Sequence, residues 1–345
     1  MRLLDQVAQS HFPLVVRQSG GQVFQLPCGR DFAATLAMVP LRLVLNDELT
    51  KTCVALAYSD GERLANCLDL VHVPAQQLWV EWNEAPRRLE LARCFPEWPA
   101  QLPIDQSHRA GLLIQCDPNS KGRRGTLRTF WSAPGTAKEP TVAPLETHFD
   151  FDTSLPQPGC VEAVFEGGYA AVFDGGCRGR DDLLCCVRFR FTREWLEYYR
   201  VATNNSAARE AVLRACVETV ATDMPLLIAL CLLMNSRQGL PKVGTDLSRL
   251  NRARGKAGKL ALLDHVELKA PIFAPCAAER ADSDLAMERQ GPRLHHVRGH
   301  LVRRSSQLYW RSPHLRGHLA LGRITSRTVE LNAGGAGERS AFHSV

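Results

Sequence analysis

Gly111-Leu112-Leu113-Ile114-Gln115-Cys116, then Asp117-Pro118-Asn119-Ser120, then Gly125-Thr126-Leu127-Arg128-Thr129-Phe130-Trp131 is the stretch that decides the fold. Two apolar, β-favouring runs flank a cluster of turn formers, a pattern that predicts two strands around a turn. Lys121, Arg123 and Arg124 make the loop a small basic spot, which reads as an exposed hairpin tip because charge is usual in loops. Outward from this hairpin toward the N-terminus, residues 12–16, 23–26, 53–58 and 79–82 are further short apolar runs bounded by turn residues. Each is expected to be a strand, so the first 190 residues read as strand-rich.

Toward the C-terminus, residues 133–158 are rich in Pro, Thr and Glu and read as a surface connection. Strands are expected to resume at 161–165 and 170–173. The Gly- and charge-rich loop 174–182 lacks both the Lys-Ser/Thr ending of a P-loop and the glycine spacing of a dinucleotide site, so it reads as a turn. A helix is expected over 192–200, and a longer one after Asn204-Asn205-Ser206, with Leu213, Val217, Val220 and Met224 at helical spacing. Residues 225–235 are apolar all round, the mark of a buried helix. Residues 264–269 read as one strand and 270–292 as a linker, while Cys185-Cys186 read as strand core.

Of 345 residues, 45% are hydrophobic and 23% charged, the proportions of a globular chain. The net charge of +6 is unevenly distributed: residues 1–240 carry 24 Lys+Arg against 27 Asp+Glu, and residues 241–345 carry 18 against 9. The twelve cysteines include no Cys-x-x-Cys pair, which argues against a zinc ribbon or a dithiol redox site. With no signal peptide read at Met1-Arg2-Leu3-Leu4-Asp5, they are expected to be reduced, mostly buried thiols of a cytoplasmic protein. The run 224–234 is too short to cross a bilayer, so no membrane role is expected.

The basic excess concentrates between Arg289 and Arg327, which holds nine arginines, no lysine and no carboxylate. Within it, His296-Val297-Arg298-Gly299-His300-Leu301 returns as His314-Leu315-Arg316-Gly317-His318-Leu319. Three readings compete. A zinc site could draw on the two His-x-x-x-His pairs, but positions i and i+4 of a strand lie about 13 Å apart, and the intervening arginines repel a cation. No metal and no cofactor is therefore expected. A metal-independent RNase or phosphotransferase could use His296, His300 and His314 as acid and base, with Arg298 or Arg316 as the cation, since imidazole titrates near pH ~6.5. Nucleic-acid binding would use Arg298, Arg303, Arg304, Arg311, Arg316, Arg323 and Arg327 with Tyr309, because planar guanidinium groups suit phosphates and aromatic rings suit bases. Leu308 and Trp310 are expected to alternate inward, leaving Tyr309 and Arg311 on the other face. The weaker Asp264…Glu267-x-Lys269 pattern reads as an exposed strand.

Residues 246–256 (Asp-Leu-Ser-Arg-Leu-Asn-Arg-Ala-Arg-Gly-Lys), 262–266, His295-His296-Val297-Arg298-Gly299-His300 and Tyr309-Trp310-Arg311-Ser312-Pro313-His314-Leu315-Arg316-Gly317 resemble a family of phage and prophage proteins. The resemblance covers roughly 240–331. It departs at Leu260-Ala261, where relatives usually carry Pro-Pro, and at His318, which is not part of the family's pattern. Its members generally carry no assigned activity, so the resemblance implies a viral context in a bacterial host and no mechanism.

The chain is thus expected to be α+β: a strand-rich main domain over 1–239 ending in a helical pair, a basic linker region over 240–293, a small Arg/His-rich β module over 294–332 with strand-like pieces at 296–304, 307–313 and 323–331, and a loose tail over 333–345. The favoured function is an accessory protein that binds DNA or RNA through the module, with the main domain binding a protein partner or self-associating. The nuclease, and a structural or assembly protein of a phage particle, are the alternatives.

Overall fold

The computed structural model describes residues 2–59, 64–94, 108–132, 139–152, 161–165, 169–173, 181–184, 186–203, 205–270, 293–297, 299–311, 314–316 and 318–323. In chain order the first elements are α1 (Leu3–Ala8), β1 (Leu14–Arg17), β2 (Val23–Leu26), α2 (Gly29–Met38), β3 (Leu41–Leu45), α3 (Asp47–Ser59), β4 (Gln77–Asn83) and α4 (Glu84–Cys94). There follow β5 (Arg109–Cys116), β6 (Arg124–Trp131), β7 (Thr141–Val142), β8 (Leu145–Asp150), β9 (Val161–Phe165), β10 (Tyr169–Phe173), α5 (Asp181–Leu184) and β11 (Val187–Phe191). The helices α6 (Arg193–Ala202), α7 (Ser206–Ala221) and α8 (Asp223–Met234) precede β12 (Lys242–Gly244), α9 (Ser248–Lys256) and β13 (Val266–Leu268). Last come β14 (Arg293–Val297), β15 (His300–Arg304), β16 (Gln307–Arg311), β17 (His314–Arg316) and β18 (His318–Arg323).

The hairpin β5–β6 sits at the middle of an 11-stranded mixed sheet of order β10-β9-β11-β8-β6-β5-β4-β3-β13-β12, with β7 added alongside β6. Its register runs from Ala110 opposite Trp131 to Cys116 opposite Gly125. The turn carries Asn119, Lys121 and Gly122 at positive φ. Gly122 is required there, since a Cβ would lie 2.1 Å from the carbonyl oxygen of Val73. Arg123 is no idle loop charge: its guanidinium donates to the carbonyl oxygens of Asp69, Val71 and Phe151 and to the Asp152 carboxylate.

Strand alternation divides the apolar side chains between two faces. On one face Leu43, Leu78, Val80, Trp82, Leu112 and Ile114 pack with Leu49, Cys53 and Leu56 of α3 and with Met224 and residues 226–233 of α8. On the other, Val44, Trp79, Leu113 and Phe130 pack with Leu3, Leu4 and Val7 of α1 and Leu36 of α2. The sheet is thus covered on both sides near its centre, and the chain is α+β with a strand-rich main body and a separate small two-stranded ribbon.

Two buried polar clusters pin these layers. Glu81, fully buried in β4, accepts from the backbone amides of Leu3 (3.0 Å) and Leu4 (2.9 Å) and from the Arg109 guanidinium, so its carboxylate anchors the start of α1. On the opposite face Arg87 of α4 reaches Glu84 (3.0 Å), Asp223 (2.8 Å) and the Thr222 hydroxyl (2.7 Å), while Thr129 of β6 donates to Asp223 at 2.9 Å. Burial pushes the Asp223 carboxyl up to about 7, against the opposing pull of Arg87. Burial alone would weaken the charge on Arg87, but Glu84 and Asp223 outweigh it and hold the guanidinium protonated.

Several elements differ from expectation for physical reasons. Residues 53–58 are helical within α3, not a strand: Leu49, Cys53 and Leu56 fall on one helical face, and the Asn46 side chain accepts from the Leu49 amide at 2.8 Å. The region 240–293 contains more than linker, and β13 lies within the strand expected over 264–269. β13 pairs in parallel with β3, β12 pairs with β13, and Asn251 of α9 clamps Leu262 through both its backbone groups, at 2.7 and 2.9 Å. The expected strand 296–304 is two strands, β14 and β15. The expected strand 307–313 is β16 up to Arg311; β17 and β18 lie between the second and third expected pieces, and of the piece 323–331 only Arg323, the end of β18, is among the described residues. The readings for 174–180, 271–292 and 324–345, and for Cys185, lie outside the described residues. Helices α7 and α8 meet the expected pair, and α8 is buried from Asp223 through Leu233. The stretch Ser206–Met234 is long and apolar enough to cross a bilayer, yet 78% of its apolar window is buried inside the protein.

The chain divides into two compact units. One is Met1–Ile272 together with His300–Arg311; the other is Phe273–Gly299 with Ser312–Val345. In the second, β14 is the central strand of a three-stranded sheet, between β17 and β18. The expected 294–332 module is therefore divided, with its first hairpin belonging to the larger unit.

Candidate nucleic-acid interface

The hairpin β15–β16 has the register His300 opposite Arg311, Leu301 opposite Trp310, Val302 opposite Tyr309, Arg303 opposite Leu308 and Arg304 opposite Gln307. Ser305, at φ 53, turns the chain between the strands. Alternation puts Leu301, Leu308 and Trp310 on one face, and all three are buried and join the main core. The ribbon is fixed at its edge as well: the Arg237 amide donates to the Leu308 carbonyl at 3.0 Å, and the Trp310 amide to the Gln238 side chain at 2.9 Å.

Arg303 shares this inward face. Its Nη1 and Nη2 each lie 2.8 Å from a different oxygen of Asp69, and Nη1 also reaches the Asn66 carbonyl at 2.6 Å. The hydrogen bond to Asp69 raises its pKa above the usual arginine value. Arg303 therefore ties the ribbon to the body and is neutralised there, unlike the free phosphate ligand that the sequence suggested.

The outward face carries His300, Val302, Arg304, Gln307, Tyr309 and Arg311, with Arg304 and Arg311 exposed. Two guanidinium groups approach Tyr309: Arg304 is 5.8 Å from its ring centroid and Arg237 is 5.9 Å away. Its hydroxyl accepts from Arg237 at 3.3 Å and donates to Gln307 at 2.7 Å. Arg237 was missed by sequence reasoning, because Ser236-Arg237-Gln238-Gly239 reads as a helix stop and only the tertiary fold brings it beside Tyr309.

In the second unit, Arg316 is exposed on β17 and Arg323 ends β18. His296 of β14 stands opposite Leu315, and His314 of β17 opposite Val297, so these two histidines are not cross-strand partners. His300 lies in the larger unit. Arg298 and Arg327 fall outside the described residues. Among the described residues, no group of three or more His, Cys, Asp or Glu side chains is placed to hold a metal ion. Compared with protein-family models, with curated proteins and with solved structures, the chain matches none of them.

Proposed function

We propose that the protein binds nucleic acid through the outward face of the β15–β16 ribbon. The observation that carries this reading is the grouping of Arg304 and Arg237 at Tyr309, with Arg311 exposed two residues along the same strand face, on a surface whose reverse side is sealed into the core. Exposed guanidinium groups beside an aromatic ring suit phosphate contact, and a base can stack on the tyrosine ring in place of one guanidinium. Arg298, Arg316, Arg323 and Arg327 belong to the second unit and are proposed as phosphate ligands on their own account. The resemblance of residues 240–331 to phage and prophage proteins supports a viral accessory role, regulating gene expression or countering host defence. The test is a salt titration of oligonucleotide binding by the full chain, with single-stranded and duplex probes. Affinity that falls steeply with salt supports the proposal, and the absence of binding at low salt overturns it. Cleavage of RNA in EDTA that is lost in His300→Ala, His300 being the cross-strand neighbour of Arg311, would move the reading to a nuclease.

A further inference from the structure

Away from the ribbon, the main sheet carries a second basic place on its α1/α2 face. Alternation from Phe130 puts Arg128 of β6 on this face. Glu146 of β8 stands opposite Arg190 of β11, and the Arg128 guanidinium reaches Glu146 at 3.4 Å. Arg128, Glu146 and Arg190 thus form one row across three strands. With Phe191, Thr192 and Arg193 they line a cavity of about 190 Å³. The lining itself holds three guanidinium groups and one carboxylate, a net positive set, with Glu197 in contact with Arg193 and Glu194 acting on Arg128 from outside it.

The donors here are left over from folding. The Arg128 side chain is 12% exposed and stacks on Phe32, 5.2 Å from the ring centroid. Its Nη1 is buried without a hydrogen-bond partner, as is the hydroxyl of Thr192. Thr192 is the N-cap of α6, yet its side chain makes no capping bond, so neither its hydroxyl nor the first amides of a ten-residue helix are used up by it. Arg190 is exposed and no ion pair engages it among the described residues, and Arg193 has only a loose 3.6 Å contact with Glu197. His148, 3.2 Å from Glu146, and Arg128 help to hold the Glu146 carboxyl below the usual range, so the single anion of the lining stays charged. Burial weighs against the charge on Arg128, which a bound anion would offset.

We infer that this cavity binds a dianionic phosphate group, either free phosphate or the terminal phosphate of a small ester. The charge of the lining matches a dianion better than a carboxylate. Convergent guanidinium, hydroxyl and helix N-terminal donors are the groups that hold phosphoryl oxygens.

The experiment is calorimetric titration of the full chain with inorganic phosphate, methyl phosphate and acetate, on wild type, Arg190→Ala and Glu146→Gln. Phosphate is expected to bind at least tenfold tighter than acetate. Arg190→Ala should weaken it about tenfold, one charge-assisted bond being lost. Glu146→Gln should tighten it, because the one carboxylate of the lining is neutralised. Methyl phosphate binding as well as phosphate identifies an ester, and its exclusion identifies the free ion. Absence of phosphate binding, equal affinity in wild type and Arg190→Ala, or weaker binding in Glu146→Gln overturns the site. Arg190 is exposed, so its replacement leaves the fold intact, as circular dichroism would verify, and oligonucleotide binding at the ribbon should be unchanged.

Discussion

Arg303 and Asp69 meet end to end, Nη1 and Nη2 of the guanidinium each 2.8 Å from a separate carboxylate oxygen, joining the β15–β16 ribbon to the segment that precedes β4. The pair sorts the arginines of the ribbon into one that holds it in place and two that face solvent. Arg303→Ala and Asp69→Asn should therefore lower the urea midpoint of unfolding. The salt slope of oligonucleotide binding should stay as in wild type. A flattened slope in Arg303→Ala would mean that the guanidinium leaves Asp69 to contact phosphate.

Arg304, Arg311 and Arg237 should behave oppositely. Each replacement by alanine should reduce the slope of log affinity against log salt by about 0.7 to 0.9, the signature of one lost phosphate contact. Tyr309→Ala should leave the slope unchanged and cost about 1–3 kcal/mol for single-stranded probes, the loss of a stacked base. Fluorescence anisotropy across a salt series reads both quantities.

Glu81 is fully buried between the Arg109 guanidinium and the first amides of α1. Glu81→Gln removes the charge while keeping the shape, leaving Arg109 and one amide short of an acceptor. A loss of about 2–4 kcal/mol is expected from denaturant unfolding. Amide exchange should rise first in residues 3–8.

Asp223 makes stability depend on pH. Its carboxyl is pushed from an ordinary 3.8 up to about 7 in the folded chain, so between these values the folded state holds a proton that the unfolded state releases. The contribution is fully present below about pH 4 and is lost as pH rises through about 7. Unfolding free energies compared at pH 5 and 8 should show a fall that is smaller in Asp223→Asn. Equal falls in the two proteins would remove Asp223 as the source.

The central hairpin and the helical pair were legible because their signals are local: apolar runs around turn residues, and apolar positions at helical spacing. The inward placement of Leu308 and Trp310 was legible for the same reason. Residues 53–58 were not, since a six-residue apolar run has no period that separates strand from buried helix. Strand β13 was legible within the expected strand 264–269, whereas β12 spans three residues and exists only through its pairing with β13, so its sequence reads as linker. The interface was half legible. Tyr309, Arg304 and Arg311 follow from alternation, but Asp69 as the partner of Arg303 and Arg237 as the neighbour of Tyr309 are products of folding at long range.

The parallel pairing of Val266–Leu268 with Leu43–Leu45 also sets an order of events during translation. A ribosome delivers β3 with one flank open, and most of the chain must emerge before β13 arrives to cover it. An unpaired strand flank invites other chains, so the nascent protein spends its synthesis exposed to aggregation. Any chaperone that guards it would be needed most while residues 46 to 265 are being made.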